Sequence, residues 1–314
     1  MNKVDVVIVN WNSGELLSNC LLSISESNTH SLSLNVTVID NNSSDRSSFL
    51  DKSFTDSLKF PLKLIYNSTN VGFAKACNQG AFDSTADYIL FLNPDTKVYS
   101  ESILQSVEFL NHRDNEKIGI CGVQLLNGEG SISRSCSRFP SPRCQIATLF
   151  GMHYLFPTIF PKQLMTEWSH DNSCVVDQVM GAFFLIRRSL FKDLEGFDER
   201  FFVYFEEVDL SLRAKQKGWN SYYLSTSQIY HEGGGTTKSI RGLSLFYYLR
   251  SRILYTYKHF SFATATLLSI CTLIIEPFPR IFYALMIRSI GEFLGIFNAY
   301  KHLYLWCIIS GKKL

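Results

Sequence analysis

The stretch Tyr88-Ile-Leu-Phe-Leu-Asn-Pro-Asp95 decides the fold class of this chain. Five apolar or aromatic residues before a proline turn predict a strand that is buried on both faces, as in the middle of a parallel sheet. Its carboxyl end carries Asn93 and Asp95 to the edge where open α/β sheets bind ligands. Taken alone, the stretch is better explained as an Asx-Pro turn whose side chains satisfy their own backbone. The same arrangement, an apolar strand that ends in polar residues, recurs along the chain, and this repetition favours a ligand-binding role for Asn93 and Asp95.

An apolar strand that ends in polar residues occurs four times before residue 100. The predicted strands cover 4–9, 35–40, Leu62–Tyr66 and Tyr88–Leu92, and their polar ends are Asn10-Trp-Asn12, Asp40-Asn-Asn-Ser-Ser-Asp45, 67–72 and Asn93-Pro-Asp95. Helical patterns follow the first and third strands, over 16–24 and Phe73–Ala81. Because successive strand–helix units form right-handed crossovers, these segments predict a parallel sheet whose polar strand ends share one edge.

The charge of the chain is unevenly distributed. Residues 238–314 hold ten Lys or Arg and two Glu, a charge of +8, whereas the whole chain has a formal charge of +2 and residues 1–237 therefore carry −6. A basic, aromatic-rich tail on an acidic body favours contact with an anionic membrane surface over contact with nucleic acid.

The cysteines and the N-terminus argue against a metal site held by cysteines and against a signal peptide. The eight cysteines show no spacing of the kind that holds a metal, which predicts scattered reduced thiols in a cytosolic protein. The N-terminus enters a strand pattern almost at once, so we expect no signal peptide.

Four motifs give the chain a family resemblance. In order, they are Val9-Asn-Trp-Asn12, Asp40-Asn-x-Ser-x-Asp45, Asn70-Val-Gly-Phe-Ala74 with Asn78, and Phe91-Leu-Asn-Pro-Asp95. They resemble the nucleotide-sugar-binding half of the inverting family 2 glycosyltransferases with the GT-A fold, especially the bacterial rhamnosyltransferase-like branch. The resemblance implies an α/β catalytic domain over 1–240, a Rossmann-like mixed sheet flanked by helices. Its nucleotide-sugar half is 1–98, its acceptor half is 99–240, and a helical membrane-associating extension covers 241–314.

The resemblance also implies a set of residues that bind the donor nucleotide. They are Asn10, Asn12, Asp40, Asn41, Asp45, Asn70, Gly72, Phe73, Asn78, Asn93 and Asp95. The chemistry of these residues agrees with nucleotide binding. A carboxylate such as Asp40 can accept hydrogen bonds from a base or a ribose. The backbone N–H groups of a turn into a helix can bind anionic oxygen. The steric needs of the turn alone also explain Gly72.

Asp95 is the expected ligand of Mg²⁺ or Mn²⁺, which would stabilise charge on the departing diphosphate. The family's usual Asp-x-Asp is Asn93-Pro-Asp95 here, and a neutral amide is a poorer cation ligand than a carboxylate. His231 resembles the family's late His and is expected to complete the metal or diphosphate site. The glycines at 233–235 would let a loop close over the donor. A lone His is more often structural.

The stretch Tyr204-Phe-Glu-Glu-Val-Asp-Leu-Ser-Leu-Arg213 resembles the family's Glu-Asp-Val-Asp-Leu signature. Inverting transfer needs one general base that takes the proton of the acceptor hydroxyl. By position that base is Glu207, with Glu206 next. Mutual repulsion is expected to raise the pKa of at least one of these carboxyls. The alternative is a helix start whose acids only favour the helix dipole.

The resemblance implies contacts with the acceptor or sugar from Gly181, Ala182, Asp209 and Trp219, and it implies that Arg250 touches the diphosphate. For Asp209, an i, i+4 ion pair with Arg213 is the better-supported interpretation.

The tail predicts helices on a membrane. Residues 259–275 carry no Lys, Arg, Asp or Glu, but these 17 residues fall short of the ~20 that a transmembrane helix needs. We predict in-plane amphipathic helices over 245–310. A re-entrant or membrane-spanning hairpin is the minor alternative. If the protein is soluble, the same helices would instead form a buried bundle or a homodimer interface.

Together these observations predict an inverting glycosyltransferase on the cytoplasmic face of a bacterial inner membrane. The predicted reaction transfers rhamnose from dTDP-L-rhamnose to a lipid-linked oligosaccharide, in the synthesis of O-antigen, and so of lipopolysaccharide, or of another surface polysaccharide. One alternative is a hexosyltransferase that uses a UDP-sugar, and another is a non-catalytic membrane protein that binds nucleotide sugars. A nucleotidyltransferase would be expected to show a Gly-rich basic loop after its first strand, and residues 10–14 contain no basic side chain.

Overall fold

The computed structural model describes residues 1–152, 156–233 and 241–310. The chain divides into two compact units. The first comprises Met1–Phe139, Leu164–Glu199 and Glu206–Gly235, and the second comprises Pro140–Gln163, Arg200–Phe205 and Thr236–Leu314. The predicted boundary at residue 240, and the division of 1–240 into two halves, stay predictions.

The first unit is built on a ten-stranded mixed sheet. The described strands are β1 (Asn2–Asn10), β2 (Leu32–Asp40), β3 (Leu62–Tyr66), β4 (Tyr88–Leu92), β5 (Thr96–Val98), β6 (Ile118–Leu126), β7 (Ile132–Ser133), β8 (Cys136–Ser137), β9 (Cys174–Val176), β10 (Gln178–Val179), β11 (Phe183–Arg187) and β12 (Asn220–His231). Their order in the sheet is β3-β2-β1-β4-β11-β6-β12-β5, with β7 paired to β6 and β9 to β12, while β8 and β10 form a separate pair.

Strand direction places several strand ends at one edge. Strands β1 to β4 are mutually parallel, and β11 runs antiparallel to both β4 and β6. Strand β12 is parallel to β6 and therefore runs in the same direction as β1 to β4. The carboxyl ends of β1, β2, β3, β4 and β12 consequently lie at the same edge of the sheet.

Helices cover both faces of this sheet. In the first unit they are α1 (Leu16–Glu26), α2 (Lys52–Ser57), α3 (Phe73–Ala81), α4 (Ser102–Asn111), α6 (Arg188–Asp193) and α7 (Glu206–Gln216), with a 3₁₀ turn at Arg113–Asn115. Side chains of β1 alternate between the two cores: Val4, Val6 and Ile8 pack with α1, whereas Val7 and Val9 pack with α3. This alternation buries β1 on both faces, as a central strand requires.

The second unit is helical in its described part. It contains α5 (Pro142–Leu149), α8 (Arg241–His259), α9 (Phe262–Ile270), a π-helical turn (Cys271–Ile275), α10 (Pro277–Met286) and α11 (Ile290–Ser310). Its core includes Leu249, Ile253, Ala284, Tyr300 and Leu303. The run Phe262–Met286 is a continuous helical segment of 25 residues. Its length and composition are sufficient to cross a membrane, and the core helix of a soluble protein can meet the same criterion.

The fold class predicted from the sequence is confirmed. The chain leaves β10 at Val179 and enters the main sheet as β11 at Phe183. The acidic helix begins at Glu206, since Tyr204 and Phe205 both have positive φ, a conformation that cannot continue a right-handed helix.

Candidate active site

Asn10 links the ends of β1 and β2. It is fully buried, and its amide nitrogen donates to Asp40 Oδ1 at 2.8 Å, to Ser47 Oγ at 2.8 Å and to Ser43 Oγ at 3.1 Å. Its amide oxygen accepts a hydrogen bond from the Ser13 hydroxyl. Every polar atom of this amide therefore has protein partners, and Asn10 fixes Asp40 and the loop that follows β2.

The loop after β2 exposes Asp45 and is tied to Asn12 in the loop after β1. Asp45 accepts hydrogen bonds from the backbone N–H of Gly14 at 2.8 Å and of Ser47 at 2.9 Å. Partial burial favours the neutral carboxyl, but these hydrogen bonds outweigh it and lower the pKa of Asp45. Asn12 accepts from the backbone N–H of Ser44 at 2.7 Å. The carboxylate of Asp45 remains exposed and can reach a ligand.

The turn into α3 is set by Gly72. Its φ of +90° is one that residues with a Cβ rarely adopt, and its N–H donates to Asn70 Oδ1 at 2.9 Å. Asn41 donates from its amide to the carbonyl of Gly72 at 3.1 Å, which ties the end of β2 to this turn. Phe73 then begins α3 and is partly exposed.

Asn78 is engaged elsewhere in the first unit. Its side chain donates to the carbonyl of Phe197 at 2.8 Å and accepts from the N–H of Phe197 at 2.9 Å. It also donates to Glu199 at 3.1 Å. The amide of Asn78 therefore holds the 196–199 segment against α3, which is a positioning contact.

Asp95 and His231 lie next to one another. Strand β5 pairs with β12 so that Thr96 is opposite His231, and Asp95 immediately precedes β5. His231 Nε2 is 3.4 Å from Asp95 Oδ1, with the two side chains 12% and 14% exposed. Two residues that are 136 positions apart in the sequence thus present an imidazole nitrogen and a carboxylate oxygen side by side.

Asn93, Gly181 and Ala182 lie at the same edge. The N–H of Asn93 donates to the carbonyl of Ala182 at 3.1 Å, because β11 begins where β4 ends. The carbonyl of Asn93 accepts from the Thr96 hydroxyl at 2.7 Å, which closes the turn around Asp95. The amide side chain of Asn93 is partly exposed, as is Gly181.

Glu206 and Glu207 begin α7, where their negative charge would interact favourably with the helix dipole. Glu206 is 4% exposed, and Oε2 of each glutamate is buried without a hydrogen-bond partner in the described part of the chain. Burial, and then the charge of Glu207, raise the pKa of Glu206 well above its ordinary value. Burial also raises the pKa of Glu207, although the N–H groups of Glu207 and Val208 oppose this rise.

Cys77 locates this acid pair relative to the sheet. The pKa of its thiol is raised first by burial and then by the charges of Glu206 and Glu207. Both glutamates are therefore near α3, the helix that starts at the polar edge. Two acids that each have a buried oxygen without a partner among the described residues are suited to holding or accepting a proton.

The structure does not bring Asp209 and Trp219 of the first unit to this edge. Asp209 is fully buried and accepts from Arg213 at 2.8 Å, while Arg213 also binds the carbonyls of Leu194 and Gly196, so it supports the fold. Trp219 precedes β12 at the opposite edge, where its ring packs near Gly119 and the Arg187 guanidinium.

Arg250 belongs to the second unit, where its guanidinium lies over the Trp306 ring. Its Nη2 also donates to the carbonyl of Arg200 at 3.4 Å.

Ser43, Ser47 and Thr96 support the site but were not predicted from the sequence. Ser43 belongs to the Asp40–Asp45 motif, and Thr96 directly follows Asp95, so both had a sequence signal. Ser47 had none, because it contacts Asn10 only through the path of the loop. The predicted glycine loop falls largely on residues 234 and 235, which lie outside the described residues.

Solved structures define the fold of the chain as GT-A. A mannosyltransferase from Pyrobaculum calidifontis, solved with GDP-Man and Mn²⁺, aligns with a TM-score of 0.55 at 15% identity, over 99% of this chain and 81% of that one. The S. aureus protein TarS, residues 1–349 with UDP-GlcNAc, aligns with a TM-score of 0.55 at 14% identity, over 95% of this chain and 79% of that one. At these identities the likeness concerns the fold alone.

Residues 5–195 match the model of glycosyl transferase family 2, and the chain belongs to that family. It is therefore a glycosyltransferase. It is similar to the N-acetylglucosaminyl-diphospho-decaprenol L-rhamnosyltransferase of Mycobacterium tuberculosis, with 26% identity over 249 residues, 74% of this chain and 76% of the relative. It is also similar to the rhamnosyltransferase WbbL of Escherichia coli K12, with 27% identity over 189 residues, 60% of this chain and 67% of the relative.

Proposed function

We propose that this enzyme transfers rhamnose from dTDP-L-rhamnose to a lipid-linked saccharide, with inversion, in the synthesis of a bacterial cell-surface polysaccharide. The proposal is carried by one observation, the pairing of Asp95 with His231 at the edge of the sheet where β1, β2 and β4 also end. The choice of sugar is supported by the names of the two relatives, both rhamnosyltransferases, one of which acts on a decaprenyl-linked acceptor.

The polar edge suits a nucleoside diphosphate. Asp40 ends β2 and Asn93 follows β4, and both strands pair with β1, so the two residues are about 10 Å apart across two strand spacings. That span fits a nucleoside whose base and ribose lie over Asp40 and Asp45 and whose diphosphate reaches Asp95. Because Asn10 has all its hydrogen bonds within the protein, it acts by holding Asp40 in place.

The residues present fit a divalent cation. Asp95 offers a carboxylate oxygen, which suits Mg²⁺ and Mn²⁺, and His231 offers an imidazole nitrogen 3.4 Å away, which suits a transition metal such as Mn²⁺ better than Mg²⁺. The described residues contain no group of three or more His, Cys, Asp or Glu arranged as a metal site. Mg²⁺ in particular is often held by one or two protein groups together with substrate phosphates. When bound, the ion would neutralise negative charge on the leaving diphosphate.

Glu207 takes the proton of the acceptor hydroxyl in this proposal. One oxygen of its carboxylate has no hydrogen-bond partner among the described residues, and the raised pKa of Glu207 makes it a stronger base than an exposed glutamate. The hydroxyl oxygen then bonds to the anomeric carbon while the bond from that carbon to the diphosphate breaks. The proton ends on Glu207, and the nucleoside diphosphate leaves with the electron pair.

The lipid-linked acceptor implies work at a membrane, and we place the enzyme at the cytoplasmic face of the bacterial inner membrane. Nucleotide sugars are the donors of that compartment, and the basic tail at 238–314 suits an anionic leaflet.

The test is a donor panel with the purified full-length enzyme. The protein is incubated with dTDP-rhamnose, UDP-N-acetylglucosamine or GDP-mannose, with Mn²⁺ or with a chelator, and release of the nucleoside diphosphate is measured. We expect slow metal-dependent hydrolysis of dTDP-rhamnose, faster when a diphospho-polyprenyl N-acetylglucosamine acceptor is added. Faster consumption of a UDP-sugar would overturn the assignment of the donor.

A further inference from the structure

An exposed apolar stripe runs along one side of the helical run Phe262–Met286. Its members recur every three to five residues and are 48–78% exposed: Phe262, Leu267, Ile270, Ile274, Phe278, Phe282 and Leu285. The other side of the same helix is buried within the second unit at Ala265, Leu268, Thr272, Glu276 and Ala284. A contiguous apolar surface of this extent on a folded unit marks an interaction site.

A second stripe lies on α11. Ile290, Leu294, Phe297, Leu305 and Ile308 recur at helical spacing and are 47–76% exposed. Helices α10 and α11 pack together, and the hydroxyls of Tyr300 and Tyr304 on α11 donate to the carbonyls of Thr272 and Leu273. The two helices therefore form one layer in the second unit.

We propose that the two stripes form a lipid-binding surface, with α9, α10 and α11 lying in the plane of one leaflet of an anionic bilayer. This inference deepens the proposed function, because a lipid-linked acceptor has to be met at a membrane. Charge complementarity selects the occupant: residues 238–314 carry +8, and Arg288 is exposed in the turn between α10 and α11. Amphipathic helices that combine apolar stripes with basic residues bind this kind of surface.

Two charged groups favour the in-plane arrangement over a spanning hairpin. Lys301 is exposed near the middle of α11, where a spanning helix would place it in hydrocarbon. Glu276 lies near the middle of the run Phe262–Met286, in a buried contact with Arg252. In a helix parallel to the surface, Lys301 can extend its ammonium group to the headgroups.

The first test removes apolar area from the stripe. Full-length protein carrying Phe278→Ser with Phe282→Ser is floated with vesicles of phosphatidylcholine and phosphatidylglycerol. Loss of two aromatic insertions is expected to weaken binding about tenfold or more. The matched control is Phe49→Ser with Phe82→Ser, which removes two phenylalanines that are 83% and 85% exposed on the first unit. Equal loss of vesicle binding in both variants, or no loss in either, would overturn the assignment of the stripes as a lipid-binding surface.

The second test addresses charge and depth. Arg288→Glu is expected to weaken binding to phosphatidylglycerol vesicles about fivefold or more, with little effect on pure phosphatidylcholine. Lys63→Glu, at an exposed lysine of the first unit, is the control and should leave binding unchanged.

Bound protein should be released by an alkaline carbonate wash, and resistance to that wash would show a spanning hairpin and overturn the in-plane arrangement. A lipid-free dimer that the Phe278→Ser/Phe282→Ser variant dissociates would assign the stripes to a second copy instead. These readouts need no donor or acceptor, so they fail independently of the proposed reaction.

Discussion

At the scale of single residues, Glu207 has the environment of a base. Burial raises its pKa, and one of its oxygens has no partner in the described structure. We expect Glu207→Gln to lower kcat by roughly 10²–10⁴-fold with little change in the KM for donor, because the amide cannot take the proton. Glu108→Gln, at an exposed glutamate on α4, is the control. Steady-state kinetics with donor and acceptor measure both variants, and normal turnover by Glu207→Gln would refute the assignment.

The same raised pKa sets the sign of the pH dependence. Glu207 is active as a base only when deprotonated, so kcat should fall as the pH is lowered through its raised pKa. The acidic limb of the profile should therefore lie at higher pH than it would for an exposed glutamate. A pH profile of single turnovers measures this limb. A limb at the ordinary glutamate pKa would indicate that another group accepts the proton.

The carboxyl group of Glu206 is expected to lower the free energy of unfolding at neutral and higher pH. Because burial raises its pKa well above the ordinary value of 4.5, the folded state keeps a proton that the unfolded chain releases. Its contribution to stability is therefore present below the ordinary pKa and is lost as the pH rises through the folded pKa. We expect Glu206→Gln to unfold at higher urea concentration than the wild type at about pH 8 and to match it at about pH 4. An equal difference at both pH values would contradict this account.

At the scale of elements, the sequence predicted those whose signals are local. Strands Leu62–Tyr66 and Tyr88–Leu92 and helix Phe73–Ala81 were predicted with the observed bounds, because an apolar run or a glycine turn marks each end. Strand β5 was not predicted, since three residues form a strand only through pairing with β12. The contact of Asp95 with His231 depends on that pairing. Asp95 and His231 were both predicted as site residues, but the distance between their side chains could not be predicted from the sequence.

Helix α3 should be sensitive to added volume at Gly80. A Cβ there would lie 2.5 Å from Val7 Cγ1 and 2.6 Å from Ile39 Cδ1, in the layer between α3 and the sheet. We expect Gly80→Ala to lower the free energy of unfolding by about 1–3 kcal/mol despite the better helix propensity of alanine. Urea denaturation measures the change, and adding Ile39→Val should recover part of it. Gly291→Ala, which meets no atom within 4 Å, should be neutral or stabilising; equal destabilisation by both variants would exclude the packing argument.

At the scale of the whole molecule, the division into two units predicts that the second can lose structure by itself. Its core encloses Arg252, which contacts Glu276 and donates to Thr272 Oγ1 at 2.9 Å, while Arg280 reaches Glu276 at 2.6 Å. Removing the buried carboxylate leaves Arg252 without its ionic partner, at a cost of about 3–5 kcal/mol. We therefore expect Glu276→Gln to destabilise the helices of 241–310.

Hydrogen exchange followed by mass spectrometry locates this loss. Amides of α8, α10 and α11 should exchange faster in Glu276→Gln, whereas those of β1, β2 and β4 in the first unit should keep their protection. Lys301→Gln, which removes an exposed charge from the same unit, should change neither set. If β1 and β4 lost protection together with α8, the two units would unfold as one cooperative structure, and the buried carboxylate would support the catalytic sheet as well as the helices.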